Sequence, residues 1–389
     1  METANTRRRL TKPLAMLLVL SALGAAHNAQ GLPFRSLDAR SAAMGGVGVA
    51  TGPRYAAFNN PALLTRADEI HEWYLLAPTL GTMTADPEGL EEGLNAFQTA
   101  ADRLGLSPTA ANANAVQAEL DALNALNDPL YRAARNGSLM VAVPSRILSG
   151  AAFLNIYEFS SARPVMRADD LSDPANPVYR STLAQRGMRV VENGFSAARE
   201  LDGGSRWSRG LSVGASVKFS LVQGYGYSQP LPEASLTLDD SRNVNGSMFG
   251  LDLGLLKEVG VWKFGLVGKN LISSTFDYGT SGDTFKIGRQ VKAGMAYQSR
   301  FTVLELDVDL LKNDPAGFGQ ASQMAAVGWE WRPWRWLALR AGYSQDLIGT
   351  RQGISAGGIG LVVYGVNLDV AAYAGDEDNG FAAQLGLQF

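Results

Sequence analysis

The stretch Phe381–Phe389, reading Phe-Ala-Ala-Gln-Leu-Gly-Leu-Gln-Phe, constrains the fold more than any other in the chain. Strand side chains alternate between faces. Phe381, Ala383, Leu385, Leu387 and Phe389 therefore share one face, opposite Ala382, Gln384, Gly386 and Gln388. A soluble sheet ending on such a strand would carry an aggregation-prone edge. A closed transmembrane barrel uses it instead: the last strand pairs with the first, turns its apolar face to lipid and its small or polar face to the lumen.

The same period recurs upstream. Leu211, Val213, Ala215, Val217, Phe219 and Leu221 oppose Ser212, Gly214, Ser216, Lys218 and Ser220. Leu304, Leu306, Val308 and Leu310 oppose Glu305, Asp307 and Asp309, while Val366, Leu368 and Val370 oppose Asn367 and Asp369. Strand signals fall near 70–84, 138–146, 148–163, 185–201, 210–228, 243–258, 261–275, 285–299, 302–312, 321–332, 336–346, 353–363, 366–375 and 380–389, about fourteen segments. Short turns at Pro144, Gly203-Gly204, Val259-Gly260, Ser299-Arg300, Pro333 and Tyr364-Gly365 alternate with longer loops at 85–137, 164–184, 229–242, 276–284, 313–320 and 347–352. Short periplasmic turns and long external loops are the pattern of outer-membrane barrels. Trp329, Trp331, Trp334 and Trp336 crowd one turn, where an aromatic girdle would lie. A β-sandwich shares the alternation with its apolar face inward, but has no use for a secretory leader joined to a terminal Phe.

That leader is legible. Arg7, Arg8, Arg9 and Lys12 precede a short apolar run, Leu14 to Ala26, and small residues follow at Ala26 or at Ala29 with Gly31. The run is too short to span a bilayer comfortably, which opposes a retained anchor. The division expected is a signal peptide over 1–31, a segment over 32–64, and a barrel over 65–389 with an insertion at 86–136. Without residues 1–31 the chain carries 30 basic and 36 acidic residues, an acidic balance that argues against nucleic-acid binding. Cysteine is absent and there are two histidines, His27 and His71, which removes thiol chemistry and all but removes His-metal clusters and Ser-His triads. No cofactor, metal or enzymatic activity is expected.

Residues 32–64 are small and weakly periodic. Gly45, Gly46 and Gly48 permit tight turns or close packing, without the spacing or preceding strand of a dinucleotide fingerprint, and Asn59-Asn60-Pro61 reads as a turn into the first strand. Such a segment suits threading through a confined space. Here a resemblance appears. Arg40-Ser-Ala-Ala-Met-Gly-Gly-Val-Gly-Val-Ala50 with Ala57-Phe-Asn-Asn-Pro-Ala-Leu63 is similar to the N-terminal signature of the FadL-like superfamily. That superfamily includes long-chain fatty acid transporters and PorV-like proteins of type IX secretion. The nearest likeness is to outer-membrane proteins labelled conjugal-transfer TraF-like. Gly250–Leu256 and Trp262–Leu271 agree with it. The resemblance implies an all-β fold: a fourteen-stranded antiparallel transmembrane barrel whose N-terminal segment plugs the lumen. The terminal Phe381, Leu385, Leu387 and Phe389 also resemble the recognition signal of bacterial outer-membrane barrels, implying the barrel-assembly machinery as a partner and outer-membrane lipid as the surroundings.

Loop 85–137 is the helical island. Asp86-Pro87 reads as a cap, Leu90, Leu94, Phe97, Ala101 and Leu104 keep helical spacing, and a second helix follows Ser107-Pro108 with Val116, Leu120 and Leu123 on one face. These helices form either a cover over the barrel mouth or a platform for a protein partner. Among lumen residues, Glu305, Asp307 and Asp309 with Glu330 and Asp369 read as a solvated wall facing Lys218, Lys263, Lys269, Lys292 and Arg340, or else as a cation or acid–base site. The resemblance leaves two functions open: transport, as the fatty acid transporters imply, and a platform, as the PorV-like and conjugal-transfer labels imply. A transporter for a hydrophobic or amphipathic small molecule would use Arg35 and Arg40 as carboxylate contacts and Met44, Gly45, Gly46, Asn59 and Asn60 as plug contacts. A non-transporting platform linked to conjugal transfer or secretion would bind through loop 85–137. The first predicts an apolar pocket beside the plug, the second a filled polar lumen and an apolar patch on the external loop.

Overall fold

A computed structural model describes residues 38–65, 73–104, 113–124, 129–145, 147–167, 170, 179–201, 204–205, 208–279, 282–315, 317–376 and 378–388. The leader, Arg35, His71, Gly203 and Phe389 lie outside the described residues. The strands are β1 (Tyr74–Ala85), β2 (Tyr131–Val143), β3 (Ser149–Val165), β4 (Thr182–Glu200), β5 (Leu211–Pro230), β6 (Asn243–Val259), β7 (Trp262–Lys269), β8 (Ser274–Asp277), β9 (Thr284–Ile287), β10 (Gln290–Gln298), β11 (Thr302–Asp309), β12 (Met324–Trp334), β13 (Leu337–Asp346), β14 (Ile354–Val363), β15 (Val366–Gly375) and β16 (Asp378–Gln388). All but β8 and β9 form one closed antiparallel barrel of fourteen strands. Closure runs through β1 and β16, from Tyr74 opposite Gln388 to Ala85 opposite Asp378. The expected fold class and strand number therefore hold.

Period-two alternation sorts the wall. Val217, Phe219, Leu221, Leu304, Leu306, Val327, Leu368, Val370 and Phe381 are exposed, whereas Lys218, Ser220, Glu305, Asp307, Asp369 and Gln384 are buried inside. An apolar exterior around a polar interior inverts the arrangement of a soluble domain. At the short-turn end Trp329 stacks beside Trp331 and Trp334 beside Trp336, on exposed positions of the outer face. Pro333 is not in the turn but within β12, at the register shift between Trp331 and Trp334. Proline has no N–H to give the ladder, and a bulge tolerates that loss.

Three stretches differ from the sequence expectation. β2 begins at Tyr131, seven positions before the predicted 138. β7 stops at Lys269, and β8 and β9 form a separate hairpin within what reads as the end of one strand and a loop. This hairpin folds inward: Tyr278, Phe285 and Ile287 pack with Met188, Val190, Val222 and Met248, all on inward positions.

The helical insertion is the third. Helix α1 (Ala39–Ala43) belongs to the plug, and α2 (Leu90–Leu104) and α3 (Ala113–Asn124) form the insertion. Asp86 caps α2, accepting from the N–H groups of Leu90 at 2.7 Å and Glu91 at 2.8 Å. Leu90, Leu94, Phe97 and Leu123 are buried against Ala162 of β3, Leu183 of β4 and Leu231. Ala162 shares its strand face with exposed Ile156, and Leu183 shares its face with exposed Phe195. The described residues of the helices thus lean on the outer wall of the strand extensions. The face of Val116, Leu120 and Leu104 lies outside the described side chains.

Candidate functional site

The plug is held by wall carboxylates through its backbone. Asp307 Oδ2 accepts from the N–H of Gly48 at 2.8 Å and of Val49 at 3.1 Å. Glu305 Oε1 accepts from Ala50 at 2.7 Å and Thr51 at 3.1 Å, and its Oε2 from the Thr51 hydroxyl. Four consecutive buried N–H groups in an irregular segment thereby find partners that no ladder supplies. Glu305 and Asp307 are thus turned to the plug backbone, whereas Asp309 pairs with Lys292, and Glu330 and Asp369 with Arg340. Among the described residues no group of three or more His, Cys, Asp or Glu is arranged to hold a metal ion.

A second chain of contacts starts from Arg40, which is 2% exposed. Its Nε donates to Glu330 at 3.1 Å and its terminal nitrogens to the Thr51 carbonyl and hydroxyl at 3.3 and 3.2 Å. Arg340, facing Glu330 across β12–β13, bonds Glu330 at 2.7 Å and Asp369 at 2.6 Å. Gly360 on the intervening β14 lets that arm pass, since a Cβ there would stand 2.7 Å from the Arg340 guanidinium. Gln384 donates to Asp369 at 2.9 Å and accepts from Ala39 N–H at 3.0 Å, returning to the plug. Arg40 is thereby a structural tie between plug and wall.

Sequence reasoning missed what shapes the wall. Inward glycines stand on strand after strand against the plug. A Cβ at Gly328 would lie 2.6 Å from the Met44 carbonyl, and one at Gly358 would lie 2.6 Å from the Cβ of Ala43. Gly342 abuts the Met44–Gly45 backbone, Gly265 the Val49 carbonyl, Gly214 the Pro61 backbone and Gly254 the Asn60 side chain. Glycine falling repeatedly on the inward phase of the period was the available signal. Gly45 (φ 75°) and Gly46 (φ 96°) turn the chain after α1 in the left-handed region that favours glycine. Met44 is fully buried with Val47, Val303 and Ala326.

Cavities remain on both sides of the plug. Toward the long-loop end lies one of about 160 Å³, between Phe58 and Asn59 of the plug and the inner faces of β1 to β5. Its apolar wall is Met83, Phe153, Tyr157 and Phe159, with Phe58 edge-on to Phe153 at 5.3 Å. Phe159 also packs with the inward hairpin. Its polar floor centres on Lys218, bonded to Glu192 and Asp252 at 3.0 Å each and to Asn270 at 2.9 Å. Lys269 donates to the Phe58 carbonyl at 2.9 Å. Toward the short-turn end lies a second cavity, of about 370 Å³, lined by Arg40, Lys263, Arg332, Arg335, Arg340 and Asp369 among others.

The predicted residues thus divide. Lys218 and Asn59 line the upper cavity, and Arg40, Arg340 and Asp369 the lower one. Met44 and Gly45 meet the wall, Gly46 has open space beside it, and Asn60 donates to the carbonyls of Val49 at 2.8 Å and Leu255 at 3.1 Å. Lys292 pairs with Asp309 at 3.4 Å, and Lys263 with Glu258 at 3.7 Å. Phe381 is exposed on the outer face, while Leu385 and Leu387 are half-buried.

The fold matches the Pseudomonas putida toluene transporter TodX with a TM-score of 0.54, at 12% identity, over 93% of this chain and 99% of that one. A TodX deltaS2S3 mutant, a monoaromatic hydrocarbon channel, matches at 0.54 and 13% identity, over 90% and 97%. A Pseudomonas aeruginosa FadL homologue matches at 0.52 and 12% identity, over 93% and 98%. At these identities the likeness is one of fold. No curated protein matches the sequence. The family model described as "F plasmid transfer operon, TraF, protein" matches residues 57–309, more than half of the chain, and the chain belongs to that family.

Proposed function

We propose that this protein is an outer-membrane barrel, exported by its signal peptide, with periplasmic termini and external long loops, and that it passes hydrophobic or amphipathic small molecules without an energy source. The observation that carries the reading is the upper cavity: an aromatic wall facing a polar floor, directly against the plug. Such a space takes a ligand with an apolar body and a polar end. The likeness in fold to a toluene transporter and to a FadL homologue supports the same reading.

A second reading, a platform for conjugation or secretion partners, is favoured by the family's description. The exposed face of α2 is polar, with Glu91, Glu92, Asn95 and Asp102, while its apolar face is spent on the barrel wall. That leaves the described part of the insertion without the apolar patch a platform requires.

Uptake separates the two readings. Cells producing the protein should accumulate radiolabelled toluene and decanol several-fold faster than cells without it. Phe153→Trp, which crowds the cavity, should remove most of the gain. Equal rates with and without the protein sink transport and leave the platform.

A further inference from the structure

We propose that the upper cavity selects a small uncharged molecule carrying one hydroxyl group on an aromatic ring or short chain, in preference to a carboxylate. This rests on the transport reading and adds the class of ligand to it.

Charge is the first argument. Lys218 is already bonded to Glu192, Asp252 and Asn270, and Lys269 to the Phe58 carbonyl. Asp38 of the plug brings a further acid to the lining. At the rim stand Arg135 and Glu158, the latter held by Arg189 at 2.7 Å. No excess of positive charge is left to balance an incoming carboxylate, and burying an unbalanced charge is strongly disfavoured. An uncharged ligand disturbs none of these pairs.

Hydrogen bonding is the second. Thr79 and Asn136 both line the cavity, and Thr79 Oγ1 and Asn136 Oδ1 are buried without a hydrogen-bond partner. They are near neighbours on the inner face of the β1–β2 pair, where Thr79 stands opposite Ser138 and Gly81 opposite Asn136. A buried polar atom left unpaired is costly. One ligand hydroxyl can donate to the Asn136 oxygen and accept from the Thr79 hydroxyl.

Size is the third. The cavity of about 160 Å³ is close to the engineered apolar cavity of about 150 Å³ that accepts benzene. One ring or a short chain fills it, and a long acyl chain does not fit within it.

The test titrates the full-length protein in nanodiscs with benzyl alcohol, toluene and benzoate, using protein-free nanodiscs as the partition control. Benzyl alcohol should bind saturably and about tenfold more tightly than either toluene or benzoate. In Thr79→Val and Asn136→Leu the ratio of benzyl alcohol to toluene affinity should fall toward one. The heat-resistant mobility of a closed barrel on electrophoresis verifies the fold of each variant. Benzoate binding as tightly as benzyl alcohol overturns the proposal and leaves transport standing. Equal affinity of the native protein for toluene and benzyl alcohol also overturns it. If none of the three binds, the proposal falls together with the transport reading.

Discussion

At the scale of single residues, the plug is fixed by two unlike devices: carboxylates that reach its backbone, and glycines that leave it room. Hydrogen bonds to a charged group contribute about 1.5–3 kcal/mol each, and an unpaired buried donor costs about 1–3 kcal/mol. Asp307→Ala with Glu305→Ala strands the N–H groups of residues 48–51 together. The plug should then become sensitive to added protease while the barrel stays closed. Continued resistance of the plug would show that packing and the remaining ties, Arg40 to Glu330 among them, suffice to hold it. Gly342→Val should act the same way, because its side chain meets plug backbone and not a flexible side chain. Gly204→Val, with nothing within 4 Å of its Cβ, is the neutral control. The acidic residues were legible as inward-facing, since alternation alone places Glu305, Asp307 and Asp309. The partners of Glu305 and Asp307 were not: a backbone N–H carries no residue signature, so for these two the sequence pointed to the lysines instead.

At the scale of elements, strands were legible where one face meets an apolar surround and the other a polar lumen. Tyr131–Gly137, at the start of β2, lacks that contrast because α2 lies nearby and Arg132 and Arg135 occupy opposite faces, so the loop was read seven residues too long. The hairpin of β8 and β9 was missed for its brevity, four residues to a strand. The helices were legible in period and cap, but their seat was not, since a buried stripe does not say which side of a wall it covers. Phe97 is fully buried in that seat and edge-on to Tyr179 at 5.6 Å, and Gln98 ties α2 to the carbonyls of Leu231 at 3.1 Å and Ala234 at 2.7 Å. Phe97→Ala should weaken this docking by about 3–5 kcal/mol. Limited proteolysis would then cut within the insertion at least about tenfold faster, since about 1.4 kcal/mol already corresponds to tenfold. An unchanged cleavage rate would mean that the helices are held by something other than this core. The barrel itself should resist as before, because all fourteen of its strands pair without the insertion.

At the scale of the molecule, the plug decides whether the barrel is a pore, and its charge partners decide what the pore would select. With residues 38–60 in place the waist is filled, and the two cavities lie on opposite sides of it. Deleting those residues should convert a nearly silent protein in planar bilayers into a conducting one. The sign of its selectivity follows from the wall. Lys292 stays paired with Asp309, Lys218 with Glu192 and Asp252, and Arg340 with Glu330 and Asp369. Glu305 and Asp307 lose the backbone donors they hold now, and Glu330 loses Arg40. The open waist therefore gains two uncompensated acids, Glu305 and Asp307, beside a water-filled path, and carboxylates lining a path favour cations. The reversal potential in a potassium chloride gradient should lie on the potassium side, and the preference should weaken as salt rises and screens the wall. Glu305→Gln with Asp307→Asn in the same deletion should move it toward zero. Chloride selectivity in the deleted barrel would mean that the basic residues of the lower cavity, Arg332 and Arg335 among them, govern the pore, and that the carboxylates act only as ties to the plug.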